Sequence, residues 1–156
     1  MNSNAEKPGM DDVFTDEVKV RIELAIKSAE SNTSAELRVH IEDDCPEDPL
    51  DRATFIFAQL SMHKTKLRNG VLIYLALGAR KLAIIGDVGI NIKMPANAWD
   101  DIYASMSEFF KKDQYEEGII HGVELVGKAI KIFFPIEVND KNELSNQVTT
   151  GNKLKP

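Results

Sequence analysis

Oxygen-bearing side chains occur in separate segments of the sequence, at positions that a fold could bring together. The set comprises Glu36, Asn69, Asp87, Asp100 and Asp101. Carboxylate and amide oxygens are hard ligands that suit calcium or magnesium, and no cluster of nitrogen or sulfur ligands accompanies them. The sequence therefore indicates a site for calcium, magnesium or another divalent cation, with further ligands from backbone carbonyls of the loop 86–92.

Three of these carboxylates also have an ordinary structural explanation. Asp100 and Asp101 favour the positive end of a helix, and Asp87 can cap a turn. A second acidic stretch, residues 42–48 with Asp51, lacks the Asp-x-Asp-x-Asp-Gly pattern of an EF-hand loop. We interpret this stretch as a solvated loop and helix cap, with weak divalent binding as the alternative. Only the convergence of several segments favours a metal site at the first cluster.

Other catalytic patterns are missing from the sequence. The histidines, His40, His63 and His121, are not spaced as ligands, and the single cysteine, Cys45, has no partner for a disulfide or a thiolate zinc site. There is no GxSxG elbow, no GxxxxGK[ST] loop, no HExxH motif and no glycine-rich dinucleotide turn. We therefore set aside nucleophilic, NTP-dependent and zinc-protease chemistry.

Length and charge limit the classes of partner. The 156 residues suit one domain, and 25 Asp and Glu against 19 Lys and Arg give a formal charge of -6. This negative field repels phosphate backbones, so we expect no nucleic-acid partner. The longest apolar run, 71–77, is too short to span a bilayer, and no basic head precedes an apolar stretch at the N-terminus. We expect no membrane insertion and a cytoplasmic location.

Apolar periodicity predicts the elements that position the candidate ligands. Helices are expected over about 15–30, 48–63, 95–110 and 113–133, and strands over 37–42, 71–77 and 82–87. Strand 71–77 shows no polar alternation, so it should be central and covered by helices on both faces. The remaining ends, 1–12 and 136–156, are expected to be flexible tails, which leaves 13–135 as the single domain.

The connections between the strands predict where the ligands meet. The first two strands should form a right-handed crossover and run parallel, and the short turn 78–81 then requires an antiparallel hairpin. The starts of the first two strands and the end of the third, at Asp87, would therefore share one edge of the sheet. We predict a three-layer α/β/α sandwich, Rossmann-like, with a small mixed sheet and a central antiparallel hairpin. Its site should lie at this edge, away from the turn.

Four motifs, taken in order, resemble those of a known family. They are SAELRV at 34–39, RNGVLI at 68–73, IIGDVGI at 84–90 and FFKKDQYEEG at 109–118. The series, within residues 15–134, is similar to the TPM domain, named after a thylakoid-lumen phosphatase, a photosystem II repair protein and a receptor-modulating membrane protein. The resemblance implies an α/β/α sandwich, divalent ion binding in some members and acid phosphatase activity in some. Glu36, Asn69 and Asp87 fall within the matching motifs.

The sequence departs from the family pattern at Arg68, where many members have an acidic or amide residue before Asn-Gly. This cation could displace a metal ligand or hold a substrate phosphate. Our leading hypothesis is a stand-alone TPM domain that binds calcium and acts as a metal-responsive binding or regulatory module. One alternative is a metal-dependent acid phosphatase, in which the ion polarises a phosphoryl oxygen and activates water. The other is a non-catalytic adaptor for a protein partner in membrane or protein quality control.

Overall fold

The fold is built on a four-stranded mixed sheet and the helices that cover it. The computed structural model describes residues 9–136 and 144–151. The strands are β1 (Glu36–Glu42), β2 (Gly70–Ala76), β3 (Lys81–Gly86) and β4 (Thr149–Thr150). The helices are α1 (Met10–Val13), α2 (Asp16–Glu30), α3 (Pro49–Gln59), α4 (Val88–Lys93), α5 (Asp100–Lys111) and α6 (Tyr115–Lys131).

Strand order and direction confirm the predicted topology. The order is β3-β2-β1-β4, so β2 is a central strand. β1 and β2 run parallel with Glu36 opposite Gly70, and β2 and β3 form an antiparallel hairpin with Val71 opposite Gly86. The crossover from β1 through α3 to β2 and the hairpin that follows it therefore bring the predicted segments to one edge of the sheet.

The helices begin where the sequence supplies caps. The Thr15 hydroxyl accepts a hydrogen bond from the backbone N–H of Val18 at 3.3 Å and starts α2. Asp48 accepts one from the N–H of Leu50 at 2.8 Å, and Pro49 occupies the first position of α3, where a missing N–H costs nothing. Both caps confirm the predicted helix starts.

Apolar side chains form a separate core on each face of the sheet. On one face, α2, α5 and α6 pack residues such as Ile26, Met106 and Val123 against the inward side chains of the strands. On the other face, α3 packs Ile56 and Phe57 against β2 and β3. Each fully buried side chain of this kind contributes roughly 1.5–3 kcal/mol. Helices on both sides of the sheet make the three layers of an α/β/α sandwich.

Both ends of the domain differ from the prediction. Met10 is buried in α1, although residues 10–12 were assigned to a tail. Thr149 and Thr150, within the predicted tail 136–156, pair in parallel with β1. A strand of two residues is too short to leave a period-two pattern, which is why the prediction missed it. The rest of the predicted tails, 1–8, 137–143 and 152–156, lies outside the described residues.

Among residues 9–136 and 144–151, no helix combines the length and apolar character that a bilayer span requires.

Candidate functional site

Three segments meet where β1 and β2 begin and β3 ends, as the topology predicts. The backbone N–H of Glu36 donates to the carbonyl of Asn69 at 3.3 Å, and the N–H of Asp87 donates to the carbonyl of Gly70 at 2.9 Å. The N–H of Gly89 donates to the carbonyl of Arg68 at 2.8 Å. We call this region, formed by residues 34–36, 68–70 and 86–89, the Asp87 edge.

Asp87 is bound on both oxygens at this edge. Its Oδ2 accepts from Arg68 Nε at 2.7 Å, and its Oδ1 accepts from Arg68 Nη2 at 2.8 Å and from the N–H of Val88 at 2.7 Å. A bidentate guanidinium pair of this kind is charge-assisted and geometrically specific. The hydrogen bond with Asp87 is the main cause that raises the pKa of Arg68. Asp87 therefore acts as the N-cap of α4 and as the counter-ion of Arg68.

Asn69 presents an oxygen that lacks a donor. The residue is 1% exposed, its Nδ2 donates to the carbonyl of Ser34 at 3.1 Å, and its backbone N–H donates to Thr65 Oγ1 at 3.2 Å. Within the part of the chain that the structure describes, Asn69 Oδ1 accepts no hydrogen bond. An unsatisfied buried acceptor costs about 1–3 kcal/mol, so such an atom indicates a water or an ion. Glu36, also buried, lies on the neighbouring strand.

The remaining predicted ligands are not joined to this edge. Asp100 and Asp101 are exposed in the first turn of α5, and no hydrogen bond or ion pair among the described residues connects them to it. Residues 86–92, predicted as a loop that offers carbonyls, are largely α4, in which the Ile90 carbonyl accepts from the N–H of Met94 at 2.9 Å. That prediction was wrong because Asp87 caps a helix. Across ranges 9–136 and 144–151, no group of three or more His, Cys, Asp or Glu residues could hold a metal ion.

Gly89 allows α4 to approach the segment before β2. A Cβ atom at this position would overlap the carbonyl oxygen of Leu67 and lie 2.6 Å from that of Arg68. Because both obstacles are backbone atoms, we expect Gly89→Ala to lower the free energy of unfolding by about 1–3 kcal/mol in urea denaturation. The control is Val88→Ala, at an exposed neighbour in the same helix, which should change it by less than about 0.5 kcal/mol. Equal losses would contradict this role of Gly89.

A second polar cluster lies at the far end of β1 and was missed by the sequence analysis. We call it the Glu42 network: Glu42, His40, Arg52, Tyr74 and Thr149. The Glu42 carboxylate is fully buried and accepts from Arg52 Nε at 3.0 Å, Arg52 Nη2 at 2.5 Å, Tyr74 Oη at 2.6 Å and His40 Nε2 at 3.2 Å. The other ring nitrogen of His40 lies 2.8 Å from Thr149 Oγ1. The network thus ties β4 to β1, β2 and α3.

Electrostatics keep the Glu42 carboxylate ionised. Burial by itself would raise the pKa of Glu42, but hydrogen bonds from His40, Arg52 and Tyr74 outweigh it and lower the pKa to about 2. Burial, together with hydrogen bonds to Cys45 and Glu42, raises the pKa of Tyr74. An ionised carboxylate only accepts hydrogen bonds, so His40 Nε2 carries a proton.

The Glu42 network is structural. Thr149, His40 and Glu42 follow the hydroxyl, imidazole and carboxylate order of an activated nucleophile. His40 is fully buried, however, so no substrate reaches its ring. The sequence signal for this network is the alternation of Arg38, His40 and Glu42 with apolar residues in β1, a pattern that is typical of a strand with one more polar face. Burial of that face follows from α3 and β4, and β4 was not predicted.

Comparisons with known proteins agree with this fold. The TPM domain family matches residues 10–129. The NMR structure of the BA42 protein from the psychrophilic bacterium Bizionia argentinensis is 37% identical, with a TM-score of 0.82 over 96% of this chain and 100% of that one. The N-terminal domain of cg2496 from Corynebacterium glutamicum is 12% identical, with a TM-score of 0.59 over 86% and 78%, a likeness of fold alone. A comparison with curated proteins found no match. The chain belongs to the TPM domain family.

Proposed function

We propose that this TPM domain binds a divalent cation, calcium in the first place, at the Asp87 edge and acts as a metal-responsive binding module. The observation that carries the proposal is Asn69 Oδ1, a buried oxygen with no donor among the residues described. The backbone of Asn69 lies where the segments of Glu36 and Asp87 converge. Calcium accepts mixed sets of carboxylate, amide and backbone oxygens in flexible geometry, so it suits this edge better than a metal that needs a rigid cage.

Arg68 makes the proposed site responsive rather than permanently filled. Its guanidinium occupies the two Asp87 oxygens that a cation would need, and its side chain is 46% exposed. A cation that enters would displace the guanidinium into solvent and rearrange the segment that leads into α4. The site has few carboxylates, and the Arg68 guanidinium competes with the cation. Both features favour weak calcium binding, with a dissociation constant of about 10⁻⁴–10⁻³ M.

Titration of the metal-free protein with calcium, followed by NMR, tests this proposal. We expect saturable shifts of backbone amides in residues 34–36, 67–70 and 86–90, and their loss in Asp87→Asn. The charge-matched control is Asp16→Asn, at an exposed carboxylate in the first turn of α2 and outside both acidic clusters, which should bind like the parent. No binding by the parent, or equal binding by Asp87→Asn, would contradict the proposal. The same titration of Asp101→Asn decides whether α5 contributes a ligand.

Removal of the competing cation should strengthen binding. We expect Arg68→Gln to lower the dissociation constant for calcium by roughly fivefold, because a half-exposed ion pair contributes up to about 1 kcal/mol. Isothermal titration calorimetry measures the change. Lys64→Gln, which removes an exposed positive charge from a residue outside this ion pair, is the control. Unchanged or weaker binding in Arg68→Gln would mean that the guanidinium does not compete with the ion.

The phosphatase alternative receives no support from this edge. The Arg68 guanidinium, which could have held a substrate phosphate, instead donates hydrogen bonds to both oxygens of Asp87. Turnover of a phosphomonoester panel with calcium, magnesium or manganese would restore that alternative. If titration and turnover were both negative, the adaptor hypothesis would remain.

A further inference from the structure

A pocket of about 350 Å³ lies beside the turn between β2 and β3, at the opposite end of the sheet from the Asp87 edge. The sequence predicts no site at this turn. Leu75, Leu77 and Leu82 give the pocket an apolar lining from the hairpin. Aromatic rings come from the helical layer, where Phe110 stacks on Tyr115 with ring centroids 5.8 Å apart. An apolar pocket with a few polar groups at its rim is the usual form of a small-molecule site.

Positively charged side chains line this pocket, although the chain as a whole has a formal net charge of -6. Arg80, Lys81 and Lys111 line it against one carboxylate, Asp113. Lys81 Nζ donates to two backbone carbonyls, those of Cys45 at 2.7 Å and Glu47 at 2.9 Å, and no carboxylate among the described residues forms an ion pair with it. The charged side chains that line the pocket therefore sum to a positive charge, opposite in sign to that of the whole protein, and they favour an anion.

Arg80 is the side chain best placed to bind that anion. In the described ranges its guanidinium forms no hydrogen bond or ion pair, whereas Lys111 is paired with Glu108 at 3.1 Å. Burial and the hydrogen bond that the Tyr115 hydroxyl donates to Asp113 at 2.9 Å raise the pKa of Tyr115, and the nearby charge of Arg80 acts in the opposite direction. A guanidinium with five donors and no partner matches the two oxygens of a carboxylate or phosphate.

The backbone at this pocket is held in an uncommon conformation at two points. Arg80 has φ 55° and Asp113 has φ 56°, in the left-handed region that residues with a Cβ atom rarely adopt. The two residues belong to separate connections, one in the hairpin turn and one between α5 and α6. Backbone hydrogen bonds, from the N–H of Arg80 to the carbonyl of Leu77 and from the N–H of Asp113 to the carbonyl of Phe110, hold both connections in these conformations beside the pocket.

We propose that this pocket binds a small organic anion in which a carboxylate or phosphate is attached to an apolar ring. The ring lies on the leucine lining and against the aromatic side chains, and the anionic group pairs with the guanidinium of Arg80. The negative field of the whole chain disfavours polyanions, so the ligand carries one anionic group. None of the residues that line this pocket belongs to the Asp87 edge, so the inference is independent of calcium binding.

NMR titration with phenylacetate and with phenyl phosphate tests the inference, with phenylacetamide as the neutral probe. We expect saturable shifts confined to residues 75–82 and 103–115, and binding of the neutral probe at least about tenfold weaker, since it lacks the charge-assisted hydrogen bonds. A comparison of the two anions decides between carboxylate and phosphate. Shifts scattered over the surface, or equal binding of phenylacetamide, would overturn the inference.

Two variants locate the bound anion. Arg80→Gln should weaken binding by about tenfold or more, while Lys64→Gln, with the same change of charge at a residue outside the pocket, should bind like the parent. Ser107→Trp places an indole in the space that the ring would occupy and should abolish binding of both anions. Undiminished binding in either Arg80→Gln or Ser107→Trp would overturn the inference.

Discussion

Replacing Glu42 with alanine is expected to lower the free energy of unfolding by about 3–5 kcal/mol, the range measured when one partner of a buried ion pair is removed. The carboxylate is fully buried, and its hydrogen bonds come from Arg52, Tyr74 and His40. Alanine removes the bidentate acceptor of a guanidinium that is itself buried. It also removes the acceptor of a buried hydroxyl and a buried imidazole N–H, which adds the cost of polar groups that have lost their partners.

Urea denaturation followed by circular dichroism measures this loss. The control is Glu124→Ala, at an exposed position of α6, which should change the free energy of unfolding by less than about 0.5 kcal/mol. Arg52→Ala and the double variant complete a double-mutant cycle, and a coupling between Glu42 and Arg52 above about 0.5 kcal/mol is expected for residues in contact. A loss below about 1 kcal/mol in Glu42→Ala would mean that the network contributes little to stability.

Acid should destabilise the protein through the same carboxylate. Hydrogen bonds hold the pKa of Glu42 at about 2 in the folded state, and a glutamate in the unfolded chain titrates near 4.3. A depressed pKa contributes stability that is complete above the unfolded value and is lost as the pH falls toward the folded value. We therefore expect a loss of roughly 3 kcal/mol from this residue between about pH 5 and pH 2.

The variant Glu42→Gln isolates that contribution, because it keeps the shape of the side chain and removes the titrating group. Its free energy of unfolding should fall less steeply than that of the parent over the acid range. Glu116→Gln serves as the comparison, since Glu116 also has a lowered pKa, caused first by its hydrogen bond with Arg21, but lies at the surface of α6. Equal acid slopes in the parent and Glu42→Gln would show that other carboxylates govern acid unfolding.

The sequence by itself determined where the main helices and strands lie and in which direction the first three strands run. Apolar runs and their periodicity showed which faces are buried, and the lengths of the connections decided strand direction, since only a hairpin closes through a turn as short as 78–81. From direction alone it followed that the segments of Glu36, Asn69 and Asp87 meet at one edge. These inferences hold because apolar periodicity and the lengths of connections are local properties that the order of residues records.

Only the tertiary structure decided which side chains pair. The sequence places Arg68 and Asp87 at the same edge, but only the structure shows their bidentate contact and the left-handed backbone at Arg68, with φ 50°. Burial of Glu42 depends on α3 and on β4, and a two-residue strand leaves no periodic signal. The pocket beside the hairpin depends on how the connection between α5 and α6 approaches the turn. Contacts between distant segments are set by packing and backbone conformation, and residue order alone does not record them.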